Sequence, residues 1–240
     1  MTALTVFSYL ISGFLEITIP LVIAYFFIKR LDTSWKIWFI GALMFLISLV
    51  RIPLNSFLTN WVVSIDFSYY SYILIYLVPS ITAGIFEETA RYIGLRYLVK
   101  DNSYKKGLTY GAGHGGIESI FVVGINVFTI GILLLINSDS IPQIDLEYIA
   151  SLPWYLPFIG LYERIMAMAI QISLSIMVLE TLRTRLVRYF FLAVLLHIAV
   201  DYISVSVVGY NILYAELVVT GFAIGLSYWA LSKISDAIMV

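Results

Sequence analysis

Long apolar runs follow one another through almost the whole chain, and they restrict the fold more than any other feature. Each run reaches roughly 20 residues, the length that an α-helix needs to cross the hydrocarbon core of a bilayer. Hydrophobic residues make up 61% of the 240 residues and charged residues only 12%, whereas about a quarter of a soluble domain is charged. Because the bilayer core satisfies no backbone hydrogen bonds, helices are the default structure. The sequence predicts an all-α polytopic integral membrane protein.

Seven transmembrane helices are predicted, with a polar site in the interior of the bundle. They cover about 6–28, 35–58, 68–99, 106–136, 153–182, 187–208 and 211–232. No internal repeat or linker divides the chain, so residues 1–240 are predicted to form a single transmembrane helical domain. The absence of cysteine excludes disulfides and thiolate chemistry. A formal net charge of -1 offers no basic footprint for nucleic acid.

Basic residues concentrate on alternate connections between the predicted spans. Eleven of the fourteen Lys and Arg lie there: Lys29, Arg30, Lys36, Arg96, Lys100, Lys105, Lys106, Arg183, Arg185, Arg188 and Lys233. The connection between spans four and five carries only acidic charges, such as Asp139. The positive-inside rule then predicts a multi-pass protein of the cell membrane, with the N-terminus outside and the C-terminus in the cytoplasm.

Three spans contain ionisable side chains that are costly in hydrocarbon, at roughly 2.5–3.5 kcal/mol each. The candidate site residues are Glu87, Glu88 and Arg91 in span three, His114 and Glu118 in span four, and His197 and Asp201 in span six. Within each set, spacings of four residues place side chains on one helical face. At a rise of ~1.5 Å per residue, all three sets lie in one slab about 10 Å thick, together with Gln171. Their shared depth predicts one buried site.

Other polar or small residues receive structural interpretations. Arg51 is expected to extend to the interface from near the outer end of span two, and Glu163 and Arg164 are expected to form a structural pair. The glycines around His114, at 111, 113, 115 and 116, leave a helix face open to another helix or to an extended substrate backbone.

Carboxylates and histidines at one depth suit the activation of water. One Glu can take a proton from water as a general base, and an imidazole can orient that water or donate to an oxyanion. An Arg four residues after the Glu would fix it and keep it ionised. Two His and a carboxylate are also a common open zinc set, here Glu87, His114 and His197. Hydrolysis of an amide bond inside the membrane is the predicted chemistry.

The residues themselves resemble those of a known family. Glu87-Glu88-x-x-Arg91, the Gly-His-Gly-Gly-x-Glu stretch around His114, and His197-x-x-x-Asp201 are similar to the YhfC family of intramembrane proteases, which is related to the CAAX-protease and PrsW-type membrane proteins. The resemblance extends from Lys36 to span six and covers most of the chain. It implies a membrane-embedded or lipid-anchored protein or peptide substrate.

The resemblance also implies roles for individual residues. Glu87 matches the base that activates water, and His114 shares that water. Glu88 and Arg91 support the base. The pair formed by His197 and Asp201 matches the motif that stabilises the oxyanion or binds a metal.

Of two departures from the family pattern, the one at Gln171 favours a metal-free, glutamic intramembrane endopeptidase with no cofactor over a zinc enzyme. The CAAX group has one more residue between its Glu pair and its Arg. Gln171 stands where a His is expected in many YhfC relatives, and Gln is a poor zinc ligand.

Rival classes make different predictions. A proton-coupled transporter also carries intramembrane acids, but inverted repeats with paired broken helices are absent from the sequence. A retinal protein needs a buried Lys, whereas the Lys of span seven, Lys233, lies at its cytoplasmic end. A catalytically silent scaffold that binds membrane proteins could share every site residue with a protease. The sequence leaves the oligomeric state and the cleavage motif open.

Overall fold

A computed structural model describes residues 2–64 and 70–238, and within these ranges the chain is helical with no strand. The α-helices are α1 Ala3–Leu31, α2 Trp35–Ser48, α3 Arg51–Ser64, α4 Tyr70–Ile93, α5 Tyr104–Glu118, α6 Ile125–Ile136, α7 Gln143–Ser151, α8 Leu156–Thr184, α9 Arg188–Val208 and α10 Ile212–Ile238. The prediction of an all-α membrane protein is confirmed.

Seven helical segments of the described chain are long and apolar enough to cross a membrane. Their centres agree with the seven predicted spans, and the observed helices extend beyond some predicted ends, such as those at 28, 58 and 232. The predicted start of span three, at residue 68, lies outside the described residues. The connection predicted as a loop after span four contains the short helix α7.

The second span is broken in its middle, where the sequence predicts one helix. Helix α2 ends at Ser48 and α3 begins at Arg51, with short i to i+3 bonds at Leu49 and Val50 between them. Pro53 explains the break, because its ring clashes with the carbonyl four residues earlier, that of Leu49. The break places Arg51 in the first turn of a new helix, halfway along the span.

Two π-helical segments interrupt the spans that carry predicted site residues. Gly94–Val99 continues α4 after Arg91, and Ser119–Gly124 connects α5 to α6 directly after Glu118. Such segments shift the helical register and are frequent at functional sites.

Helix α5 lies at the centre of the bundle, packed against α2 on one side and α8 on the other. Its glycines permit this approach: a Cβ at Gly113 would collide with the backbone carbonyl of Trp38, and one at Gly111 would lie 2.8 Å from the Cα of Ile172. The sequence left this glycine face open to another helix or to a substrate backbone. In the structure it contacts the neighbouring helices α2 and α8.

Polar contacts join the ends of several helices at the end of the bundle that is rich in Lys and Arg, called the basic end below. The Thr33 hydroxyl lies 2.8 Å from that of Thr109, and the Tyr104 hydroxyl donates to Glu180 at 2.7 Å. The contacts bring the start of α5 beside the ends of α1 and α8. Which side of the membrane this end faces remains the prediction made from charge.

Candidate active site

The three predicted sets of ionisable residues meet inside the bundle, around a cavity of about 410 Å³. The cavity is lined by Glu87 from α4, Glu118 from α5, Gln171 from α8, and His197 and Asp201 from α9. Glu88, Arg91 and His114 lie behind this lining, fully buried. The structure thus brings together all seven residues that were singled out by their depth.

Glu87 is the carboxylate with the most partners. Its Oε1 accepts a hydrogen bond from Nη2 of Arg51 at 2.8 Å. Its Oε2 accepts from the amide nitrogen of Gln171 at 3.2 Å and lies 3.3 Å from Nε2 of His114 and 3.7 Å from Nε2 of His197. One oxygen is therefore fixed by a cation, while the other faces nitrogen donors beside the cavity.

Glu88, His197 and Arg91 form a second, fully enclosed arrangement. Nδ1 of His197 lies 2.7 Å from Oε1 of Glu88, and Nε of Arg91 lies 3.2 Å from Oε2 of Glu88. The carboxylate fixes the imidazole with Nδ1 protonated, so Nε2 is directed towards the cavity. The Arg is paired with Glu88 three residues before it, not with Glu87 four residues before it as the spacing predicts.

Arg91 also ties α4 to α8. Its Nη1 donates to the backbone carbonyl of Gln171 at 2.5 Å and to the Ser175 hydroxyl at 2.9 Å, and its Nη2 donates to Oε1 of Gln171. Since Oε1 is occupied by the guanidinium, the amide Nε2 of Gln171 must point at carboxylates. It donates to Glu118 Oε2 at 2.7 Å as well as to Glu87.

Glu118 does not contact His114, although the two residues are four apart on α5. Its partners come from α8: the Gln171 amide and Nη1 of Arg164, at 3.2 Å. Asp201 does contact the residue four before it, with Oδ2 lying 3.6 Å from Nε2 of His197. Of the three predicted pairs, only that of His197 with Asp201 is observed. Glu118 has partners on α8 in place of His114, and Arg91 pairs with Glu88 in place of Glu87.

Two cations in the cavity lining were given only structural interpretations from the sequence. Arg51 does not extend to the interface but turns inward to Glu87. Arg164 pairs with Glu163, as predicted, and also with Glu118. The sequence does contain a signal for their position in the site. Neither guanidinium belongs to a basic cluster, and an isolated Arg within an apolar span requires a buried anion.

A zinc ion at this site would be held by donor atoms of Glu87, His114 and His197. A His that binds a metal almost always donates its other ring N–H to a partner. Nδ1 of His197 has such a partner in Glu88, but Nδ1 of His114 is buried without one. In the described part of the chain, no three His, Asp or Glu side chains are spaced to hold a metal ion. As arranged, these residues do not fit a zinc site.

The chain is similar to a known protein family and to a bacterial membrane protein. A model of the family described as "YhfC intramembrane metalloprotease" matches residues 15–223. An "Uncharacterized membrane protein YhfC" of Bacillus subtilis (strain 168) is 29% identical over 205 residues, which is 78% of this chain and 79% of that protein. No solved structure matches the chain significantly. The family match includes every residue that lines the cavity.

Proposed function

The chain belongs to the YhfC intramembrane metalloprotease family, and on this premise we propose that it is an intramembrane endopeptidase in which Glu87 activates water. The observation that carries the proposal is the environment of Glu87. Arg51 holds Oε1 at 2.8 Å, and Oε2 faces a cavity large enough for water and a peptide segment. A positioned carboxylate with one oxygen beside a cavity is what a general base requires.

In the proposed first step, water bound next to Oε2 of Glu87 gives its proton to that oxygen. The water oxygen attacks the peptide carbonyl carbon, and the carbonyl electron pair moves to oxygen. His114, 3.3 Å from Oε2, donates from Nε2 to that oxygen and so orients the base that holds the water. In the second step the protonated Glu87 gives its proton to the leaving nitrogen, so the base is regenerated as the C–N bond breaks.

His197 is proposed to stabilise the oxyanion. With Nδ1–H donated to Glu88, a proton on Nε2 points into the space between Glu87 Oε2 and Asp201 Oδ2, at 3.7 and 3.6 Å. Both distances are too long for a hydrogen bond, so this N–H is available to a substrate oxygen. Asp201 stabilises the charged imidazole. A donor aimed at the oxygen on which negative charge develops lowers the energy of the transition state.

The proposed mechanism uses no metal, although the family description names one. Support comes from the donors around Glu87 Oε2: the Gln171 amide has its orientation fixed by Arg91, and His114 has no partner for Nδ1. Both arrangements direct N–H groups, not lone pairs, at the carboxylate. We therefore keep the glutamic mechanism that the sequence favours.

The proposed substrate is a membrane-embedded or lipid-anchored protein or peptide. The cavity combines the charged residues with apolar side chains of α4, α8, α9 and α10, such as Pro79, Ile170, Val200 and Val219. An extended peptide segment can place its carbonyl among the polar groups and its side chains on the apolar wall. On α4, α8 and α9 the lining residues lie between the site and the end of the bundle opposite to the basic end, so the peptide would enter from that opposite side or from the lipid.

The experiment is digestion of a labelled library of membrane peptides by the purified protein in liposomes. Products are expected from the parent protein and from the control Glu216→Gln, which changes a buried carboxylate outside the cavity. Glu87→Gln and His114→Ala should give none. Equal cleavage by these two variants would refute the mechanism. Binding of peptides without cleavage by the parent would favour a scaffold, and substrate-dependent proton flux would favour a transporter.

A further inference from the structure

A second cavity, of about 580 Å³, lies at the basic end of the bundle and shares no lining residue with the candidate active site. Three of its lining residues are cations: Arg96, Lys100 and Arg185. None of the described residues that line it is a carboxylate. The cavity therefore has an unbalanced positive charge.

The carboxylates nearest in sequence do not neutralise these cations. Asp101 is bonded to Lys106 and to the backbone N–H of Ser103. The Lys106 bond lowers the pKa of Asp101 below its usual range, so this carboxylate stays ionised and paired. Glu180 is paired with Arg183, at 3.1 Å. In the described part of the chain, Lys100 and Arg185 have no ion-pair partner.

The backbone at two of the cations is unusual. Lys100 and Arg185 both have positive φ, 57° and 60°, at the position that caps a helix C-terminus. Glycine is the usual residue there, because a side chain in this conformation is strained. The helix dipole favours a cation at each C-terminus, but it explains neither the third cation, Arg96, nor the open space between them.

One further donor in the wall lacks a partner. The hydroxyl of Thr181 is buried and makes no hydrogen bond in the described structure. Beside it, Leu182 and Val187 form an apolar part of the wall. Unpaired cations, an unpaired hydroxyl and an apolar wall are the groups that surround the phosphate and the first acyl carbons of a lipid.

We propose that this cavity binds a phosphate group, supplied by the headgroup of an anionic phospholipid. The lipid source follows from the position of the cavity at the ends of membrane-spanning helices, where headgroups lie. The cavity is formed by the end of the segment that carries Glu87, the end of α8 and the start of α9. A bound headgroup therefore bridges three helices that position the candidate active site. The proposal does not depend on the peptidase activity.

The test measures binding of phosphatidylglycerol to the full chain in nanodiscs of phosphatidylcholine, and of inorganic phosphate in neutral detergent, at constant ionic strength. The site variant is Lys100→Gln with Arg185→Gln. The matched control is Lys105→Gln with Arg188→Gln, which removes two exposed cations of the same end that do not line the cavity. Lys100→Gly is added because it removes one charge and relieves the positive φ, so it should fold as well as the parent.

The site variant should bind phosphatidylglycerol roughly 10- to 30-fold more weakly, because each cation contributes about 1 kcal/mol to binding an anionic lipid. The control should stay within about threefold of the parent, and Lys100→Gly should lose roughly fivefold. Equal losses in the site variant and the control would overturn the proposal, since they would reflect general surface charge. Binding of inorganic phosphate that only the site variant loses, with no lipid preference, would keep the phosphate site but refute the lipid source.

Discussion

Replacement of Glu88 by Gln tests the enclosed arrangement behind the candidate active site. The change keeps the shape of the side chain and removes its charge. In the parent, Oε1 of Glu88 lies 2.7 Å from Nδ1 of His197 and Oε2 lies 3.2 Å from Nε of Arg91. The single oxygen of an amide can face only one of these two nitrogen donors, and its NH₂ group must then face the other.

The loss of stability follows from burial. Glu88 and Arg91 are both fully buried, and removal of one partner of a buried pair costs about 3–5 kcal/mol. Arg91 keeps its bonds to the Gln171 carbonyl, the Gln171 side chain and the Ser175 hydroxyl. We therefore expect the lower limit, about 3 kcal/mol. Activity should fall by at least ~100-fold, because His197 loses the carboxylate that fixes its tautomer and its charge.

The assay is equilibrium unfolding in mixed micelles with a denaturing detergent, combined with cleavage rates in liposomes. Glu216→Gln is the matched control: Glu216 is also buried but has no ion-pair partner in the described chain, and one of its oxygens makes no hydrogen bond. Its replacement should leave the free energy of unfolding equal or higher. If Glu88→Gln unfolded within about 1 kcal/mol of the parent, the account of the buried pair would be wrong.

Three further changes have definite expected results. Arg51→Gln should lower kcat/KM roughly 10- to 100-fold, because a charge-assisted bond to the proposed base is lost, and Arg51→Lys should restore part of it. Gly113→Ala should cost about 2 kcal/mol or more in detergent unfolding, because its Cβ meets the Trp38 backbone; Gly225→Ala, with nothing near its Cβ, should be neutral or stabilise by up to about 1 kcal/mol. Strong chelators should leave the cleavage rate of the purified protein unchanged, and zinc-dependent recovery after chelation would contradict the glutamic mechanism.

The sequence predicts the helices and the convergence of the site better than it predicts the partners within it. Ionisable residues in apolar spans must find each other, so a shared depth was enough to bring Glu87, His114 and His197 together. The partner of Arg91 could not be deduced from spacing alone. Glu87 and Glu88 lie about 100° apart around the helix, and the choice between them depends on Arg51, which reaches Glu87 from another helix.

Arg51 was misplaced for a local reason. An unbroken helix over the second span would carry this residue towards the outer interface, where a long cation can extend to water. Pro53 ends that helix early and starts α3 at Arg51 itself. A proline inside an apolar run predicts a break or kink, but the direction in which the next side chains point depends on the packing of α3 against α4, which no local pattern contains.

The most direct test of the central claim is a single-turnover measurement of peptide cleavage by Glu87→Gln and by the parent, in the same liposomes with a substrate identified from the library. The amide keeps a bond to Arg51 or Gln171 but cannot accept the proton of water. The account predicts a cleavage rate at least ~1,000-fold lower for the variant, with substrate binding retained. A rate within about tenfold of the parent would contradict the assignment of Glu87 as the base.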